Sequence, residues 1–454
     1  MSVIKNTSSD GIALVPSAYL IEECVVSNKD GECVDVQYLL QSIQITESLH
    51  SPTLICKITA LDEVNLIEVL PFFGLETIRL KISRRQGETG AVQSFDHIFY
   101  VTDYPLFNRP RREHTQVWSI TGVSFHAWKN PLIKISRAYH GVITDQIKKI
   151  AFDSFGVSLV QFGTSETRGQ GIIPISTPLK AIDWFRRRVS DEKSCPFYLY
   201  ETLQNPPSTL NFASHSELSK QDAHFHYYDT RSFQFEAATQ DDYDERRARM
   251  LDCTSLLKLS KFNPIASGAY ASETNYIDIA KRKFGKRFYD YSVDFPIDAT
   301  ILKTNIFETP KHADHEPEAG QHPFSIKPVP VKNMELPTEE FYSHQNYLAR
   351  NSEAFGDEEN YIEMSWEKMN VLEAFPGIFN TLMHEVELHG DLELNAGKIV
   401  HLHFPKAVDP ISGGFGNLED EYLTGKYMVT SAIHTFKDQE YYTHIRVKRD
   451  SFVQ

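Results

Sequence analysis

The sequence predicts a predominantly β chain of α+β class, folded as a barrel or a sandwich. Three observations predict it. Apolar and polar residues alternate with period 2 near both ends of the chain, short runs of this kind are separated by turn residues, and aromatics are plentiful, with 29 Phe and 21 Tyr among 454 residues. Strands favour all three features. The length corresponds to about two to four domains of roughly 150 residues.

Along residues 39–47, Ile43 and Ile45 share one face of a half-buried strand. Ser51-Pro52 breaks it. Leu54, Cys56, Ile58 and Ala60 then alternate with Thr53, Ile55, Lys57 and Thr59. Beyond Pro71 and Gly74, Ile78, Leu80 and Ile82 point inward and Arg79 and Lys81 outward. Residues 99–103 and 116–123 continue the alternation. The period then changes. Residues 144–155 place Ile147, Ile150, Ala151 and Phe155 on one helical face. A second helix is signalled by Thr177 as N-cap, Pro178 in the first turn and the stripe Leu179, Ile182, Phe185. Arg186, Arg187 and Arg188 close it, where cations suit the helix dipole. Strands return at residues 196–201 and 209–213. Residues 240–261 read as a charged helix giving way to an apolar segment, and residues 307–338, rich in Pro, His and acids, as a long linker. The last region, 379–453, is strand-rich again. Its inward sets are His384, Val386, Leu388, then Val400, Leu402, Phe404, then Tyr427, Val429, Ser431, Ile433, with a final strand at 442–448. Gly74 and Gly397 each precede an alternating strand, so both are expected in turns that tolerate a side chain poorly. This faint echo permits two related β-domains in one chain.

Composition narrows the function classes. No apolar run approaches the ~18 residues of a membrane span, and residues 1–10 lack the apolar core of a signal peptide. Manufacture in a cytoplasm is the expectation. Five scattered cysteines (Cys24, Cys33, Cys56, Cys195, Cys253) form no CxxC pair. They read as small buried hydrophobes rather than a disulfide framework or a zinc site. The formal net charge is −15, whereas a protein that grips DNA presents a basic surface. Arg84-Arg85, the run 109–112 and Arg186 to Arg188 are expected to face outward or pair with acids.

Signatures of chemistry are missing. Gly169-Gln170-Gly171 runs into Ile172, Ile173 and Pro174, which cannot open a phosphate-cradling helix. No GxSxG elbow occurs. His384-Glu385 lacks a second His four residues on; the next, His389, falls on the opposite face of a strand. His401 and His403 share a strand face, as do His224 and His226. No Cys or carboxylate at suggestive spacing accompanies them, so they read as strand histidines. His312, His315 and His322 lie in the acidic linker, read as a solvated loop that leaves metal binding open. With 61 acidic residues, no carboxylate pair stands out as a glycosidase couple. The sequence therefore assigns no catalytic, cofactor-binding or metal-ligating residue and no cofactor, and the chain is expected not to be an enzyme.

An ordered run of small motifs resembles the baseplate central hub proteins of contractile-tailed bacteriophages, related to the hub half of type VI secretion spike proteins. It begins with Ile43-Gln44-Ile45-Thr46-Glu47 and Ser51-Pro52, and continues through Asp62, Asn65-Leu66, Leu70-Pro71, Gly74, Glu76 and Leu80. The middle match is Thr177-Pro178-Leu179, Ile182 and Trp184, then Pro196-Phe197 to Glu201-Thr202. The last runs from Gly390-Asp391, Leu394, Gly397, Val400, Leu402 and Pro405 through Leu423, Gly425, Tyr427, Val429, His434 and Tyr442-Thr443 to Arg449-Asp450-Ser451.

The resemblance implies two tube-like β-barrel domains with inserted α-rich segments, three chains forming a pseudo-sixfold ring. The implied division is an N-terminal extension (1–16), the main part of a first barrel (17–128), an α-rich insertion (129–195), a central mixed region lending strands to the barrels (196–330) and the main part of a second barrel (331–454). The implied role is a structural virion protein of the tail baseplate, assembled in the host cytoplasm. It would be a homotrimer joining a hexameric tail tube or tube initiator to a trimeric spike, with tape-measure and baseplate wedge proteins as further neighbours. DNA would pass through its channel without specific binding. No spike or lysozyme segment follows the last strand, which suggests a separate hub. The alternatives are the hub of a tailocin or type VI-like apparatus, and a tail-associated cell-wall hydrolase.

Overall fold

The computed structural model describes residues 17–62, 74–86, 91–103, 116–165, 167–229, 246–256, 268–278, 283–304, 331–335, 366–380, 382–406, 419–420 and 422–451. Seven strands open the chain: β1 (Leu20–Ser27), β2 (Cys33–Asp35), β3 (Leu40–Ser48), β4 (Ser51–Asp62), β5 (Thr77–Gln86), β6 (Ala91–Asp103) and β7 (Gln116–Val123). They lie in the order β3-β4-β7-β6-β5-β1-β2. The alternation of the sequence is the alternation of their faces. Leu54, Cys56, Ile58 and Ala60 on β4 meet Ile78, Leu80 and Ile82 on β5 in one apolar cluster with Phe95, Phe99 and Trp118. Outside, Arg79 pairs with Asp96 and Glu23, and Lys81 with Glu22.

A mixed region follows: α1 (Phe125–Lys129), β8 (Ala138–Val142), α2 (Ile143–Phe155), β9 (Ser158–Phe162), β10 (Arg168–Ile172), α3 (Pro178–Arg186), β11 (Phe197–Tyr200), β12 (Thr209–Ser214) and α4 (His215–Ser219). The expected apolar face of α2 packs against Ala181, Ile182 and Phe185 of α3 and against Phe197, Leu210 and Phe212. Thr177 takes the N-cap position of α3, yet its side chain makes no capping bond. Asn130 Oδ1 instead accepts from the Leu179 N–H at 2.9 Å. A remote side chain has done the work of the local cap.

The remaining elements are β13 (His226–Asp229), β14 (Arg249–Ser255), β15 (Ala271–Asp278), β16 (Lys283–Asp290), α5 (Tyr291–Asp294), β17 (Val331–Glu335), α6 (Trp366–Phe379), β18 (Leu382–His389), β19 (Ile399–His403), β20 (Gly425–Lys437) and β21 (Glu440–Arg449). Six of these strands close on themselves in the order β19-β13-β14-β18-β21-β20, with β20 pairing back to β19. Val386, Leu388, Val400, Leu402, Tyr427, Val429 and Val447 fill the barrel. Closure gives each of the six strands a neighbour on both sides, which the outer strands of an open sheet lack. Among the described residues the seven N-terminal strands do not close in this way, and the three-residue β2 is their outer edge.

Strand β20 belongs to both assemblies. Residues 425–428 pair with β19, and residues 431–437 pair with β3. A bulge between Val429 and Ser431 separates the two halves. The extra residue flips the alternation, so Ala432, His434 and Phe436 point inward rather than Ser431 and Ile433. This corrects the face expected from strict period 2.

Other departures have physical causes. Within the expected charged helix at 240–261, residues 249–255 form strand β14, because Met250 and Cys253 pair with Leu388 and Val386 of the barrel and tertiary pairing overrides local charge pattern. Within the expected linker, β17 pairs in parallel with β15; the three linker histidines lie outside the described residues. Helix α6 carries Pro376 inside it, and Pro376-Gly377 reads as a stop in the sequence. Burial of Val371, Ala374, Phe375 and Ile378 holds it together. Cys24, Cys56 and Cys195 are buried, whereas Cys33 on the edge strand is exposed. Arg84 is buried, with its guanidinium 5.6 Å from the Tyr441 ring centroid, so of the two expected arrangements it does not take the outward one. Asp183 pairs with both Arg186 and Arg187, and Arg188 lies over Trp184. Residues 109–112 lie outside the described residues.

Candidate functional site

The acids of the sequence motifs prove to be joints. Glu47, Asp391, Asp450 and Ser451 are fully buried, and Glu76 and Glu201 are 1% and 8% exposed. An acid that no substrate can touch serves cohesion, and Glu47, Glu201, Asp391 and Asp450 each accept hydrogen bonds from distant segments. Glu47, on β3, accepts from the N–H of Leu203 at 3.1 Å and of Ala396 at 2.9 Å, with His434 Nε2 3.5 Å away. It thereby ties the N-terminal sheet to the segment after β11 and to the loop before β19. Glu201 answers from the other direction, accepting from the Leu54 N–H at 3.2 Å and from the Ser124 hydroxyl. Asp450 accepts from His215 Nε2 at 2.7 Å and from the Ile301 N–H at 3.0 Å.

Asp391 gathers the most partners. Gln93 Nε2 at 3.0 Å, the Glu393 N–H at 3.0 Å, Arg247 and His224 all donate to it. Burial alone would raise its pKa. The His224 hydrogen bond and the Arg247 charge outweigh that and hold the carboxyl well below its usual range. The motif Arg449 is likewise buried, 4.7 Å from the Tyr427 ring centroid, and donates to the carbonyls of Thr424 and Tyr422.

The turn glycines behave as expected. Gly74 and Gly397 have φ of +89° and +86°, a region side chains disfavour. A Cβ on Gly397 would sit 2.8 Å from the Tyr200 hydroxyl. Glu76 accepts from the Gly74 N–H and so fixes the first turn.

The histidines regroup. His384 is core: it meets Ser255 Oγ at 2.9 Å and the Tyr427 hydroxyl at 3.2 Å. His224 turns to Asp391 and parts from His226. His226 joins His401 and His403 instead, because β13 runs parallel to β19 with His226 opposite His401 and Tyr228 opposite His403. Tyr227 and Leu402 point into the barrel, so the three imidazoles share its outer face. His226 Nδ1 is 3.0 Å from His403 Nε2, and His403 Nδ1 is 2.8 Å from Glu419 Oε1. Burial, with His403 and His226 adding, brings His401 down to about 4. Sequence reasoning missed this trio because its members come from strands about 175 residues apart, and because the carboxylate, Glu419, stands 16 residues beyond His403 rather than at a ligand spacing.

No family model matches the sequence, and no curated protein does. Solved structures do. A tail protein from Neisseria meningitidis MC58 aligns over 96% of this chain and 98% of its own, with TM-score 0.52 at 11% identity. The chain has the fold of that tail protein. A 43 kDa tail protein of prophage MuSo2 from Shewanella oneidensis aligns over 94% and 98% at TM-score 0.49 and 14% identity. An Escherichia coli component of the type VI secretion system aligns over 95% and 76% at TM-score 0.39 and 6% identity. Neither of these two scores bears weight for the fold. Among the described residues, no helix is long and apolar enough to cross a membrane.

Proposed function

We propose that the chain is a non-enzymatic structural protein of the tail baseplate, the central hub of a contractile tail, working as a homotrimer in the virion. The observation that carries this reading is the tail-protein fold, aligned over nearly the full length of both chains. The internal construction supports it. One strand, β20, runs through a closed barrel and into a seven-stranded sheet, and turn glycines introduce a strand in each. Two β units per chain, one of them a closed barrel, and three chains per ring would give six units around an axis, to meet a hexameric tube on one face. The threefold of the chain itself meets a trimeric spike on the other. The buried joints make each chain stiff enough to transmit load between those faces. Large apolar side chains left exposed on the α-rich region, Leu132, Phe152, Ile172 and Ile175, are surface suited to neighbouring chains.

The channel would pass DNA without holding it. Each chain carries a formal −15, and duplex DNA carries a charge about every 1.7 Å of axis. A basic wall would release counterions at many contacts and stall the strand. An acidic or neutral one leaves the cations on the DNA. Light scattering on the purified protein tests the assembly: a particle of three times 52.0 kDa is expected. A monomer that persists at tens of micromolar, with or without the cognate spike, would overturn the reading.

A further inference from the structure

We infer that His226, His401 and His403 form a binding site for a divalent transition-metal ion of the zinc class, placed on the outside of the barrel as a clasp between β13 and β19. Three imidazoles brought together on one face are a common donor set for such an ion. One ligand nitrogen from each lies within 4.8 Å of the others. Two nitrogens bound tetrahedrally at ~2.0–2.1 Å would stand roughly 3.3 Å apart, and His226 Nδ1 and His403 Nε2 stand 3.0 Å apart.

Glu419 supplies the second argument. A carboxylate has no proton to donate, so the bond at 2.8 Å places the proton of His403 on Nδ1. That leaves the Nε2 lone pair facing His226. A metal-bound histidine is commonly oriented by a carboxylate on its other nitrogen in this way. A third observation comes from His401, whose Nδ1 is buried without a hydrogen-bond partner. Its ring stands face to face with that of His226, centroids 4.8 Å apart. Stacking alone, continued by Tyr228 against His403, accounts for the packing but not for the orphaned nitrogen or the carboxylate.

Location gives the site a purpose. Strand β13 joins the barrel by a two-residue ladder to β14 and a three-residue ladder to β19. These are the barrel's two thinnest seams. An ion held by one histidine of β13 and two of β19 would pin the second of them from outside.

The test uses the full chain, stripped with chelator and titrated with ZnCl₂ by calorimetry and native mass spectrometry. One Zn²⁺ per chain at submicromolar Kd is expected, with a rise in melting temperature. Co²⁺ should give the intense visible absorption of a four-coordinate site. His226→Ala and His403→Ala should abolish this binding while keeping the circular dichroism of the parent, and Glu419→Gln should weaken it about 10–100-fold. His444→Ala, elsewhere on the surface, should bind as the parent does. Failure of the parent to bind Zn²⁺ stoichiometrically overturns the inference. So does undiminished binding by the folded His226→Ala and His403→Ala proteins, which would place the ion on other donors, such as the group His224, Asp391 and Glu393.

Discussion

Replacing Glu47 by Gln changes one atom and no volume, and the structure makes its cost large. The two carboxylate oxygens face different donors: Oε2 takes the Leu203 N–H and Oε1 takes the Ala396 N–H. An amide has one oxygen. Whichever way it turns, its NH₂ meets a backbone N–H, leaving two buried donors without an acceptor. Each such loss costs about 1–3 kcal/mol, so Glu47→Gln should destabilise by about 2–5 kcal/mol, with no cavity to confuse the reading. The comparison is Glu385→Gln, which removes an ion pair to Arg446 whose partners are 44% and 50% exposed. Pairs of that kind contribute about 0–1 kcal/mol. Urea unfolding followed by circular dichroism, read at constant slope, separates the two. A Glu47→Gln midpoint indistinguishable from that of Glu385→Gln would refute the idea that buried acceptors join the sheets.

Other outcomes follow from the same geometry. Gly397→Val should cost about 1–3 kcal/mol from its positive φ and more from the Tyr200 contact, and Gly74→Val should cost a backbone share of the same size; unchanged melting temperatures would contradict both. Burial holds His384 at about 4 against an ordinary 6.5, helped by Arg449. It resists protonation in the folded state. Its contribution is therefore complete above 6.5 and drains away as pH falls toward 4, by no more than about 3 kcal/mol. The slope of melting temperature between about pH 7 and pH 5 should be shallower in His384→Gln than in the parent, and equal slopes would count against this. The proposed trimer should not bind a short DNA duplex at low salt; submicromolar affinity that falls steeply with added salt would make its proposed channel a grip.

The strands were legible where one face is dry and the other wet. Ile78, Leu80 and Ile82 alternate with Arg79 and Lys81 because water lies on one side only. The second half of β20 was not, since a bulge leaves no local mark on Val429-Thr430-Ser431. Strand β14 and helix α6 were hidden for opposite reasons. Charges at 240–252 imitate a helix where the barrel needs a strand, and Pro376-Gly377 imitates a stop where packing carries the helix through. Closure of the C-terminal barrel depends on β13 wedging between β14 and β19, a pairing of remote segments that periodicity cannot express. The motif residues Glu47, Glu201, Asp391 and Asp450 were visible as positions, but their role was not. A buried acceptor is recognised only when the N–H groups that need it are seen.

The most direct measurement of the central claim is electron microscopy of the purified ring, viewed along its axis. Six tube-like units on one face, reducing to strict threefold symmetry on the other, are predicted. A ring of any other symmetry, or particles that never close into a ring even with tube and spike proteins supplied, would contradict it.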